Sequence, residues 1–256
     1  PDVMAYASAS TGFKASIFSL QPLTDTTPAS PETVTAYEAG LKTTLFDRRL
    51  RLNIAAFYSK LRDLQVSVVP APAVIVTRNV PGARSYGFEV EASASLAGGL
   101  DLRAGYAYVN SRYTSYPQAP YFYPNPAPPY GNLPAVAGPA DGNWTERSPR
   151  HSFNLGGSYE VPLNANGDTL MLSANFAYTG SFYWHPNNLT RERGYGLLDA
   201  QLKYSFASSG VSLAIWGANL TDRKYYMEAV EQAGPTGVGG APAAPRTYGV
   251  KIGFAF

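Results

Sequence analysis

The chain has 256 residues, 45% hydrophobic and only 15% charged, and its 20 basic and 18 acidic side chains leave a net charge of +2. It contains no cysteine, which excludes a disulfide scaffold, thiolate-bound zinc and a thiol nucleophile together. No Lys/Arg-rich run interrupts this near-neutral balance, so nothing points to a nucleic-acid partner.

In chain order, period-two alternation predicts ten strands, at about 3–13, 33–46, 50–66, 85–97, 100–113, 149–161, 169–183, 195–206, 211–225 and 247–256. The third sets Leu50, Leu52, Ile54, Ala56 and Tyr58 against Arg51, Asn53, Ala55, Phe57 and Ser59. The fourth sets Tyr86, Phe88 and Val90 against Gly87, Glu89 and Glu91, and the eighth sets Leu198, Ala200, Leu202 and Tyr204 against Asp199, Gln201 and Lys203. The last sets Tyr248, Val250, Ile252, Phe254 and Phe256 against Thr247, Gly249, Lys251, Gly253 and Ala255. An apolar, aromatic-rich face opposite a small or charged one suits hydrocarbon on one side and a wet lumen on the other. Each run matches the roughly 9–11 residues that a tilted strand needs to cross a bilayer, whereas no run of roughly 18 apolar residues offers a transmembrane helix.

The connections alternate in length. Those at Asp47–Arg49, Ala97–Gly99, Leu163–Asp168 and Ala207–Gly210 are tight, and those at about 15–31, 68–84, 114–147, 185–194 and 227–246 are long. Short turns at one end and long loops at the other predict an all-β, transmembrane antiparallel β-barrel wall with the long loops outside and both chain ends on the periplasmic side. The segment Tyr116–Tyr130, rich in Pro and Tyr, reads either as a stiff loop covering the mouth or as an aromatic ligand-contacting surface.

Four stretches then carry a family resemblance. They are Tyr6-Ala-Ser-Ala-Ser-Thr-Gly-Phe-Lys14, the hairpin from Pro31 through Tyr37-Glu-Ala-Gly-Leu-Lys42 to Tyr58, Gly217-Ala-Asn-Leu-Thr-Asp-Arg-Lys-Tyr-Tyr226, and Pro245-Arg-Thr-Tyr through Phe256. Together they resemble the C-terminal half of TonB-dependent outer-membrane receptors, in the family's order, with minor departures at Ala9, Thr11 and Thr221. The resemblance implies that residues 1–256 form about the last ten strands of a 22-stranded type of barrel, without the plug domain and its TonB box. It implies localisation in the bacterial outer membrane and TonB-dependent uptake of a scarce nutrient, most often a ferric siderophore. Its implied partners are that ligand, the TonB complex acting through the plug region, outer-membrane lipid, and the barrel-assembly machinery reading Phe256. A diffusion porin and a small stand-alone surface barrel are the alternatives.

Glu38, Lys42, Arg51, Glu89, Glu91, Asp101, Arg103, Asp199, Lys203 and Lys251 are expected to line the lumen. The Glu89/Glu91 spacing places both on one strand face and needs no catalytic explanation. Neither His151 nor His185 has a second His or a Cys at metal-ligand spacing, and no nucleophile elbow or phosphate-cradling loop is present. No catalytic residue, metal or cofactor is therefore expected. The ligand-contact candidates are on the outer rim: Tyr121, Phe122, Tyr123, Trp144, Arg147, Trp184, His185, Arg191 and Arg193. Arg forks suit anionic chelate oxygens and aromatics suit flat faces, although Trp, Tyr and Arg at strand ends also anchor barrels at the membrane interface.

Overall fold

The structure, a computed structural model, describes residues 2–18, 28–71 and 74–254. In chain order the strands are β1 (Val3–Lys14), β2 (Glu32–Leu45), β3 (Leu50–Ala71), β4 (Val74–Leu96), β5 (Leu100–Ser115), β6 (Ala119–Tyr121), β7 (Val136–Gly138) and β8 (His151–Pro162). They continue with β9 (Thr169–Thr179), β10 (Phe182–Tyr183), β11 (Arg191–Glu192), β12 (Tyr195–Ser205), β13 (Val211–Ala218), β14 (Tyr226–Glu231), β15 (Val238–Pro242) and β16 (Thr247–Phe254). Ten of these form one antiparallel sheet in the order β1-β2-β3-β4-β5-β8-β9-β12-β13-β16. The other six pair as three short hairpins inside the long connections. No helix occurs among the described residues.

Register explains why this sequence makes two unlike faces. One row of directly paired residues runs Leu100–Tyr159–Leu172–Leu202–Ile215–Val250. The adjacent row runs Asp101–Ser158–Ser173–Gln201–Trp216–Gly249. A slip of one residue would exchange the two sets, so the alternation holds the register. On the apolar face Leu172, Ile215 and Val250 are 52%, 58% and 71% exposed, the condition of side chains whose neighbour is lipid. Leu102 and Phe254 share that face. All ten charges expected in the lumen lie on the other, in rows such as Lys42–Asn53–Glu91, Arg51–Ser93–Arg103 and Lys203–Ala214–Lys251.

The tight turns lie at one end, and one carboxylate braces two of them. Asp168 accepts from Asn164 Nδ2, from the backbone N of Ala207 and from Tyr204 Oη, each at 2.9 Å. These donors, Asn164 foremost, hold its carboxyl below the usual carboxylate range. Toward the other end the apolar face carries an aromatic belt, with Phe153 stacked on Tyr178 at 5.1 Å and Phe88 on Tyr108 at 5.7 Å.

Three expectations need correction. Residues 68–84 are not a loop: β3 and β4 continue as a long hairpin through Leu64–Val80 and Val66–Arg78 pairs to Ala71–Val74. Prolines near a hairpin tip read as loop signals, yet they are tolerated where no ladder N–H is required. The strand placed at 169–183 stops at Thr179, where Gly180 donates to His151 O and the chain leaves the sheet. The strand placed at 211–225 stops at Ala218, because Asn219 turns with φ 49° while its N–H donates to Asp199 Oδ1 at 2.7 Å. The last strand is described to Phe254, so Phe256 lies outside the described residues.

Candidate ligand-binding mouth

The polar face is concave. Asp101, Arg103, Asn154, Asn175, Asp199 and Trp216 help line an open trough of about 560 Å³. Its charges and amides suit water or a polar occupant, and no group of three potential metal ligands occurs among the described residues.

At the long-loop end, residues 116–140 fold back over this face. Leu61, Ala83 and Tyr113 stand in one register row on the polar side of β3, β4 and β5. They pack with Val80, Tyr116, Ala119 and Ala140 in a small apolar core. The stiff-cover reading of this loop is thus the one its packing fits.

Three connections are sewn into one body by side-chain amides. Asn187, 4% exposed, donates to Glu231 Oε2 at 2.6 Å and to Pro120 O at 3.1 Å. Thr190 Oγ1 donates to the other Glu231 oxygen. Asn188 accepts from Trp144 N at 2.8 Å and donates to Trp144 O at 3.0 Å, while Asn143 Nδ2 donates to Pro186 O at 2.9 Å. Asn132 and Gly234 exchange backbone bonds of 3.0 and 2.8 Å. Apart from Trp144, these residues were not among the sequence-derived candidates. The Pro186-Asn187-Asn188 turn was the available signal, since Asn side chains substitute for backbone in turns.

The candidates separate into different roles. Trp184 is 4% exposed and packs edge-on to Phe182 at 4.9 Å, with Ala229 and Tyr195 around it. It is core rather than rim. His185 accepts from Glu231 N–H at Nε2, 3.2 Å away, and its burial pushes its pKa below the ordinary value despite the nearby Glu231 carboxylate. With Nε2 accepting a backbone N–H, it is structural in its bonding. Arg147 pairs with Glu228 at 3.4 Å, the one ion pair among the described residues, and lies 5.0 Å over Trp184. Arg112 at 3.9 Å and Arg150 at 5.4 Å both lie over the Trp144 ring. Tyr121 donates to Pro139 O at 2.7 Å and stacks on Tyr123, which is 48% exposed. Phe122 is half-buried beside them. Arg191 donates to Ser181 Oγ and, like Arg193, is exposed. The mouth therefore offers an exposed Tyr123 and, besides the Glu228-paired Arg147, two further exposed arginines, on a body that Trp184 and His185 help hold together.

A family model described as TonB dependent receptor-like, beta-barrel, matches residues 1–220. The chain belongs to that family. The metal-pseudopaline receptor CntO of Pseudomonas aeruginosa is 28% identical over 258 residues, an alignment covering 98% of this chain and 31% of the receptor. The ferrichrome outer membrane transporter/phage receptor of Escherichia coli is 27% identical over 197 residues, covering 74% of this chain and 22% of that protein. This member of the TonB-dependent receptor family thus spans a third or less of the length of these curated relatives. The crystal structure of the ferric yersiniabactin uptake receptor FyuA from Yersinia pestis superposes with a TM-score of 0.78 at 20% identity, covering 98% of this chain and 34% of that one. The sheet is accordingly a TonB-dependent receptor barrel wall, its apolar face is the lipid face, and the protein resides in the bacterial outer membrane. The family is one of transporters and receptors, not enzymes.

Proposed function

We propose that this chain is the C-terminal part of a receptor barrel of the 22-stranded type, and that the whole receptor takes up a ferric siderophore or a similarly large, scarce nutrient. The observation that carries this reading is a sheet with an apolar exposed face, a polar concave face and two outer strands, β1 and β16, that are not bonded to each other. Open edges have no backbone partners in hydrocarbon, so further strands must complete the wall. That these relatives are metal-chelate and siderophore receptors supports nutrient uptake, and those binding iron chelates favour a siderophore.

In this mechanism the ligand binds at the mouth through Arg191, Arg193 and Tyr123. Guanidinium forks meet chelate oxygens and the ring covers a flat face. The TonB complex, driven by the inner-membrane proton gradient, then acts on a plug domain in the trough to open a path. Phe256 serves as the terminal signal for the barrel-assembly machinery.

The test is ligand binding by the intact receptor against a panel of ferric siderophores and other large chelates. Replacing Arg191 and Arg193 together with Ala should weaken binding about tenfold or more, the scale of losing charge-assisted hydrogen bonds, without lowering barrel yield. Unchanged affinity across the panel would remove these two residues from the site. Absence of binding by the wild-type receptor would remove the siderophore reading.

A further inference from the structure

A row of cations lies on the wrong face for a lumen. Lys60 on β3, Arg84 on β4 and Arg112 on β5 are direct register partners, Lys60 opposite Arg84 and Arg84 opposite Arg112. By alternation they share the lipid face with Tyr58, Tyr86 and Tyr108. On β3 and β4 each cation is the next lipid-facing residue beyond the tyrosine, toward the long-loop end. Arg150 joins them from just before β8, donating to Tyr108 Oη at 3.2 Å, and Arg112 and Arg150 both lie over the Trp144 ring.

Like charges directly opposed on neighbouring strands destabilise a sheet, and no carboxylate relieves this row among the described residues. Asp63 on β3 makes no ion pair with it, and Glu32 and Asp141 are engaged elsewhere: Glu32 accepts from Gln65 N at 3.0 Å and Asp141 from Tyr116 N at 2.5 Å. The compensating anion must therefore come from outside the wall. Just beyond an aromatic belt lies the headgroup layer, and at the long-loop end that layer belongs to the outer leaflet.

We propose that Lys60, Arg84, Arg112 and Arg150 form a binding site for a phosphorylated glycolipid headgroup of the outer leaflet. The guanidiniums take phosphate oxygens bidentately, and the exposed ring of Tyr86 covers a sugar face. Partial pre-ordering of Arg112 and Arg150 by Trp144 lowers the side-chain entropy lost on binding. Such a lipid would brace the wall from outside at β3–β5, the strands over which residues 116–140 fold on the lumen side. The uptake reading stands or falls separately from this site.

The experiment is a native mass-spectrometric titration of the intact receptor in detergent. The probes are a bis-phosphorylated glucosamine-disaccharide lipid, its dephosphorylated form and inorganic phosphate. The wild type should bind the phosphorylated lipid at least about tenfold more tightly than the dephosphorylated one, given the strength of charge-assisted bonds, and inorganic phosphate at equal concentration should not displace it. Combined Lys60→Gln, Arg84→Gln and Arg112→Gln should abolish the preference, while Arg103→Gln on the lumen face should keep it. Equal binding of the two lipids by the wild type would overturn the proposal without any variant, as would displacement by inorganic phosphate. Should the triple variant fail to fold, Arg84→Gln alone must still narrow the preference, and an undiminished one would count against the site.

Discussion

Expressed without further barrel strands, this chain should fail to give a monodisperse membrane barrel. The ten sheet strands leave one edge of β1 and one of β16 unpaired, and in hydrocarbon each unsatisfied backbone group costs several kcal/mol. Eight residues of β16 and the facing edge of β1 thus present a penalty that exceeds the ~5–15 kcal/mol by which ordinary domains are stable. Open edges also template pairing with other chains. Size-exclusion chromatography and heat-modifiable gel mobility in detergent should show aggregates or polydisperse species. A single closed ten-stranded species would refute the larger-barrel account and restore the small stand-alone barrel.

Trp184→Ala in the intact receptor should loosen the mouth rather than merely trim a ligand contact. Removing a buried Trp costs about 3–5 kcal/mol when the site cannot collapse, and Trp184 is enclosed by Phe182, Ala229 and Tyr195. The loss falls on the body sewn by Asn187 and Glu231, because His185 and Thr190 beside it bond to Glu231. Amide hydrogen exchange should rise across residues 185–193 and 226–242 while β9 and β12 keep their protection. Unchanged exchange there, with only ligand binding lost, would return Trp184 to the rim role.

The two faces of the sheet were legible in the sequence because each strand meets two solvents. Leu202 and Lys203 differ in kind, so one glance at their alternation assigns both. The mouth was less legible. Trp184 and His185 have the composition of ligand contacts, and nothing local distinguishes a tryptophan aimed at ligand from one enclosed by residue 229, about forty-five positions away. Asn187 and Glu231 escaped notice for the same reason: each is an ordinary polar loop residue until the other is placed against it. The β3–β4 hairpin was misread because the prolines at 70, 72 and 81 carry turn signals in the sequence that a local reading cannot weigh against the long β3–β4 ladder. The cation row was hidden by register, since Lys60, Arg84 and Arg112 become neighbours only when three strands are paired.

The central claim is that the apolar face of this sheet touches lipid and the charged face touches water. The chain's lack of cysteine makes single spin labels straightforward to place in this stretch of the intact receptor. Labels at positions 171, 172, 173, 202, 203, 213, 214 and 215, reconstituted in bilayers, would report accessibility to oxygen and to a water-soluble nickel chelate by power saturation. The account predicts alternation of period two, with oxygen favoured at Leu172, Leu202, Leu213 and Ile215 and the chelate at Met171, Ser173, Lys203 and Ala214. Flat accessibility along β9, β12 and β13, or chelate access at the leucines, would contradict it.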